Sequence, residues 1–224
     1  FAFNRSWFAA LLPQRDTPTA FAESSVTVPK SPAPSLAVKP TLITHFSDDF
    51  SNPDSGWRRV KDNRGEADYV AGSYRISVEK AFTMYWATPH LLFKEVSIAV
   101  EANKVAGVDE SAFGILCRVQ PSGEFYALLI RGDGGFNILK FKNEKAFDLD
   151  GEGWNFSEDI HQGKTANLLR ADCIRDTLTL YVNGMKVTQA VDGDFSGGDV
   201  GLIVLTEDVP GASILFDRFS ARQP

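Results

Sequence analysis

"RADCIRDTLTLYVNGMKVTQAV", residues Arg170–Val191, decides how this chain folds. Asn183-Gly184 at its centre is the favoured pair for a two-residue type I′ hairpin, because both turn positions require φ > 0. Such a turn sets Val182 opposite Met185, Tyr181 opposite Lys186 and Leu180 opposite Val187. Side chains alternate along a strand, so Leu178, Leu180, Val182, Met185 and Val187 share one face. Thr179, Tyr181, Lys186 and Thr188 share the other. A tight turn at Arg175-Asp176 leads back to a preceding strand, which adds Leu169, Ala171 and Cys173 to the apolar face. Three consecutive antiparallel strands therefore present a single apolar surface.

The same alternation recurs outward from this stretch. It is found at "YRISV" (74–78), "TMYWATP" (83–89), "VSIAVEAN" (96–103), "FGILCRVQ" (113–120) and "FYALLIRG" (125–132). It returns at "FNILKFK" (136–142), "DVGLIVLT" (199–206) and "ASILFDRFSA" (212–221). About a dozen short strands spaced by Gly, Asp and Asn turns, with no amphipathic helical period, predict an all-β, two-sheet antiparallel sandwich. Phe125–Ile130 and Leu202–Leu205 are apolar on both faces and belong mid-sheet.

Composition divides the chain near Thr44. Residues 1–45 hold six of the eleven prolines, with Arg5, Arg15, Lys30 and Lys39 against Asp16 and Glu23, a net +2. The total is −6, so residues 46–224 carry −8. That sign excludes nucleic acid or an anionic membrane surface as the main partner. No apolar run approaches the roughly 18 residues that span a bilayer, so membrane attachment requires an anchor upstream of Phe1. Residues 13–45 read as an extended, proline-stiffened arm or stalk. The segment "FAFNRSWFAALL" before it places Phe1, Phe3, Trp7, Phe8, Leu11 and Leu12 close together, too apolar for a free end. Two fates are open for this arm: packing along its own domain, or docking on a protein partner or a neighbouring copy.

"DDFSNPDSGW" (48–57), "GSYRISV" (72–78), "FGILCRV" (113–119), "TLTLYVNGMKV" (177–187) and "DVGLIVL…ILFDRF" together resemble the concanavalin A-like lectin/glucanase superfamily. The likeness is to laminin-G-like and 3-keto-disaccharide-hydrolase-like jelly rolls of secreted or membrane-tethered bacterial proteins. It covers about residues 46–222 and rests on fold signatures. It implies an extracellular or cell-surface location.

For the superfamily's glucanases the resemblance implies paired carboxylates on one strand, of the type E-x-D-x-x-E, and no stretch here matches that pattern. Asp148, Asp150 and Glu152 alternate, but within a glycine-broken loop, a poor frame for a retaining pair held about 5–5.5 Å apart. His45, His90 and His161 share no metal-ligand spacing. No catalytic residue and no cofactor are expected, save a structural calcium ion that the resemblance places at Asp48, Asp49 and Asp217. The alternative is that Asp48 and Asp49 merely end a strand.

A lectin-like use of the fold implies a sugar face, and its candidates are Tyr85, Trp86, Arg118, Tyr126, Arg131 and Trp154. The two arginines stand in otherwise apolar strands and need partners. Cys117 shares inward parity with Phe113, Ile115 and Val119, as Cys173 does with Leu169 and Ala171. They form either a disulfide, stabilising by about 3–4 kcal/mol in the loop-entropy model, or two buried thiols. The reading for the whole is a non-catalytic extracytoplasmic sandwich acting in assembly through its arm. Carbohydrate binding on a stalk is the alternative, and glycoside or keto-sugar hydrolysis the second alternative.

Overall fold

The computed structural model describes residues 43–224. The expectations for Phe1, Phe3, Trp7, Phe8, Leu11, Leu12 and the proline-rich arm lie outside these residues. Within them the chain forms sixteen strands and no helix. They are β1 His45–Asp48, β2 Val60–Lys61, β3 Gly65–Val70, β4 Ser73–Val78, β5 Thr83–Ala87, β6 Val96–Ala106, β7 Ala112–Val119 and β8 Phe125–Arg131. The second half gives β9 Gly135–Lys142, β10 Lys145–Asp148, β11 Asn155–Phe156, β12 Asn167–Ile174, β13 Thr177–Val182, β14 Met185–Val191, β15 Asp199–Thr206 and β16 Ala212–Arg222.

Two antiparallel sheets stack face to face. Sheet I runs β14-β13-β12-β6-β16-β4-β3-β2, with β1 added against β16. Sheet II runs β10-β9-β8-β7-β15-β5, with β11 added against β9. Inward residues of both sheets form one core, in which Ile76, Ile98, Leu169 and Leu180 of sheet I meet Ile115, Leu128, Ile138 and Leu202 of sheet II. The apolar strands β8 and β15 each have a neighbour on both sides, as their lack of a polar face requires. Cys117 of β7 and Cys173 of β12 are bonded, so the bridge ties one sheet to the other.

The opening hairpin turns where the sequence places it, with φ of 52° at Asn183 and 88° at Gly184. Its inward trio Leu178, Leu180 and Val182 is fully buried. The far strand differs from the alternation rule. A register shift beside Leu180 makes Val187 an extra residue, so Leu180 faces Thr188 and not Val187. Met185 is 55% exposed at the turn, and Ala190 takes the buried place opposite Leu178. A β-bulge inserts one residue and so reverses the parity of everything beyond it.

Two further bulges act on the core. In β16, Arg218 adopts φ 52° and the register shifts between Asp217 and Ser220, so that Phe216 and Phe219 both point inward. In β7, Arg118 adopts φ 54° and the pairing with β15 shifts by its side. Val119, expected inside, therefore packs on the outer face of sheet II.

Candidate functional site

The outer face of sheet II is built from alternate residues of strands whose other alternates fill the core. Met84, Leu116, Ala127, Leu129, Leu139 and Ile203 belong to this second apolar layer, with Trp86, Val119 and Trp154 packed against it. Trp86 of β5 and Phe125 of β8 have ring centroids 5.8 Å apart although β15 and β7 lie between their strands. Three strand spacings measure about 14 Å on a flat sheet, so this sheet curls toward its outer side. The outer face is a trough.

One end of the trough is polar. The loop between β10 and β11 is pinned there because Asn137, facing outward on β9, donates through Nδ2 to Asp148 Oδ1 at 3.0 Å and to Gly153 O at 2.8 Å. Gly151 and Gly153, at φ 143° and 75°, give the loop the sharp path that brings Trp154 back over the sheet. Its indole N–H donates to Glu207 Oε1 at 3.1 Å. Arg131, at the end of β8, lies 5.0 Å over the indole ring, donates to Asp133 Oδ2 at 2.6 Å and stands 3.8 Å from Glu207 Oε1. Burial raises the Glu207 pKa above the ordinary carboxylate value, against the pull of the Arg131 charge and the Trp154 N–H. Arg131 Nε and Asn137 Oδ1 are buried without a partner.

This corner can fix a tryptophan, present a desolvated carboxylate and offer buried polar atoms to a ligand. Its carboxylates, Asp133 after β8 and Glu207 after β15, come from different loops and both contact the guanidinium of Arg131.

The six residues expected to share a sugar face separate into two groups. Trp86, Arg131 and Trp154 belong to the trough. Tyr85 and Tyr126 point into the core between the sheets, because each is adjacent to, or an odd number of residues from, an outward neighbour. Arg118 is 2% exposed and leaves the proposed face altogether. Its bulge turns it inward, where it donates to Phe195 O at 2.7 Å and to Arg175 O. Tyr126 beside it donates to Asp192 Oδ1 at 2.5 Å and accepts from Phe195 N. Burial above all, then the Asp192 bond, pushes the Tyr126 phenol well above its ordinary pKa.

The acidic positions also have local occupations. Asp48 accepts from Phe50 N and from the Ser55 hydroxyl, Asp49 from Ser51, and Asp217 from Arg218 N. Among the described residues no group of three or more His, Cys, Asp or Glu is placed to hold a metal ion. Asp148 and Asp150 pin their loop, Asp150 by accepting from Ile138 N at 3.0 Å. Asp133, Asn137 and Glu207 escaped the sequence reading. Asp133 and Asn137 belong to one hairpin, whereas Glu207 follows β15 about 70 residues further on and only the sheet order brings it to them.

No protein-family model and no curated protein matches the chain in sequence. Solved structures match it in shape. A prokaryotic β-1,3-1,4-glucanase (lichenase) derived from a mouse hindgut metagenome is 12% identical, with a TM-score of 0.62 over 81% of this chain and 100% of that one. A Bacillus licheniformis β-glucanase is 10% identical, with a TM-score of 0.61 over 82% of this chain and all of the other. The carbohydrate-binding module CBM66 from Bacillus subtilis is 16% identical, with a TM-score of 0.52 over 75% of this chain and 96% of that one. Identities this low establish a likeness of fold alone. The sandwich has the jelly-roll fold of these structures, which include glucanases and a carbohydrate-binding module.

Proposed function

We propose that this chain is a non-catalytic jelly-roll module of an extracytoplasmic protein that serves assembly. One observation carries the reading. The outer side of sheet II carries a buried apolar layer that includes Met84, Leu116, Leu129 and Ile203, and no strand of that sheet bears a pair of carboxylates. A retaining glycosidase requires two carboxyl groups about 5–5.5 Å apart on a firm scaffold. The bonded cysteines favour an oxidising compartment outside the cytoplasm.

Incubation with mixed-linkage β-glucan tests the non-catalytic part. We expect reducing ends to appear no faster than in buffer. Turnover abolished by Glu207→Gln overturns the reading.

A second reading, carbohydrate binding, draws on Trp154 held between Arg131 and Glu207, since an indole beside charged hydrogen-bonding groups suits a sugar ring. Calorimetric titration with the same glucan separates the two. Binding heat that vanishes in Trp154→Ala establishes the second reading; absence of heat leaves the first.

A further inference from the structure

β5 and β2 are outermost strands of sheets II and I, and a cleft opens between them along the side of the sandwich. Arg58, Asp62 and Arg64, flanking β2, line it together with Met84, Tyr85 and Trp86 of β5. Met84 and Trp86 belong to the outer apolar layer and Tyr85 to the core, so the cleft wraps the free edge of β5. We propose that this cleft is a binding site for a small organic monocarboxylate. The proposal is independent of the assembly reading.

Charge supports it first. Arg64 is spent on Asp62, whose Oδ2 accepts from its Nη2 at 2.6 Å and its Nε at 3.1 Å. Those bonds hold the Asp62 carboxyl down at about 2. Arg58 is exposed, and its guanidinium has no ion pair or hydrogen bond among the described residues. Its backbone is nonetheless fixed, since its N–H donates to Thr88 O at 3.4 Å and its carbonyl accepts from the Tyr74 hydroxyl. Two arginines and one aspartate leave the cleft with a single net positive charge on an otherwise acidic domain.

A buried hydroxyl supports it next. Tyr85 is 6% exposed, and no acceptor meets its Oη in ordinary hydrogen-bond geometry. Burial, and after it the nearby Asp62 charge, raises the phenol's pKa, so the hydroxyl keeps its proton and remains a donor. A buried donor without a good acceptor is costly, and a ligand oxygen relieves it.

Size and chemistry name the class. A carboxylate accepts from both a guanidinium and a hydroxyl, and the bond to the guanidinium is charge-assisted. Asp62 in the same cleft disfavours a dianion such as phosphate. The cleft volume is about 90 Å³. One water needs about 10–15 Å³ on that measure, so the space admits roughly six to nine non-hydrogen atoms. Met84 and Trp86 offer apolar surface to the body of such a ligand.

The test titrates the isotopically labelled full chain with sodium butyrate, holding ionic strength constant with chloride so that screening does not change. We expect the Trp86 indole signal to shift saturably with a Kd of about 1 mM, a reasonable value for a six-atom ligand. The Gly184 amide, at the far edge of sheet I, should not move. Butyramide, of the same size and uncharged, should leave both signals in place. Arg58→Met should bind butyrate at least about tenfold more weakly with its Tm unchanged, Arg58→Lys should recover part of the loss, and Tyr85→Phe should weaken binding severalfold. Three results overturn the proposal: no saturable shift well above that Kd, an equal shift with butyramide, or native affinity in Arg58→Met. Should Arg58→Met alter the Tm, the butyramide comparison on the native chain decides. Each of these failures leaves the non-catalytic reading standing.

Discussion

Arg118 and Arg131 stand on neighbouring strands, each with an aromatic ring within 5–6 Å, and they do opposite things. Arg118 lies 6.0 Å from the Tyr126 ring and gives its protons to the carbonyls of Phe195 and Arg175. Those partners join the loop after β14 and the turn before β13 to sheet II, so Arg118 stoppers one end of the sandwich. Arg131 lies 5.0 Å from the Trp154 ring and faces the carboxylates of Asp133 and Glu207. Burial lowers the Arg118 pKa, with no carboxylate bonded to it to restore the charge. A guanidinium spent on carbonyls is part of the wall; one aimed at carboxylates beside a tryptophan is part of a surface that can receive something.

Substitutions at the two ends should separate accordingly, and the largest effect belongs to the bridge beside Arg118. Cys117→Ala with Cys173→Ala frees a 56-residue separation, and we expect a loss of about 3–4 kcal/mol in urea unfolding. A loss below about 1 kcal/mol means the two sheets are held together by packing alone. Arg118→Met keeps the volume and strands two carbonyls, at an expected cost of about 3 kcal/mol by the same measurement. A neutral Arg118→Met breaks the contrast between the arginines. At the other end, Trp154→Ala removes a partly buried ring and one hydrogen bond, for about 2 kcal/mol.

The smallest effect is a pH dependence. The raised pKa of Glu207 means that folding favours its protonated form, so its contribution is full below the unfolded value and fades as pH rises through the folded one. Glu207→Gln has no such loss. Its Tm relative to the native chain should climb between about pH 4 and pH 7, and a flat difference places Glu207 in water.

The sequence made the sheets readable because alternation and the Asn183-Gly184 turn are local signals. Leu169, Ala171 and Cys173 against Leu178, Leu180 and Val182 needed nothing more than parity. Parity failed beyond Val187, which itself still packs against the core, and at Arg118 and Arg218, where each bulge shifts the register. Arg118 and Arg218 take positive φ as non-glycine residues, a choice that tertiary pairing imposes and composition does not announce. That is why Arg118 looked like a surface candidate and is interior. Parity also shows that Tyr85 and Trp86, being adjacent, never shared a face. The trough's polar corner was half legible. Arg131 and Trp154 stood out by residue type, whereas Glu207 follows a strand 53 residues away from the indole it holds.

β1 closes the molecule in a way that bears on how it is strung into anything larger. His45 pairs with Arg222, and Gln223 N donates to Thr44 O at 2.9 Å, so the incoming and outgoing chain lie side by side at one pole. A unit hung by both ends from one pole can be spliced into a host polypeptide without lengthening it. Tension across those ends would peel the short β1 from β16 one rung at a time, so the module would yield to modest force while its inter-sheet bridge kept the remainder folded.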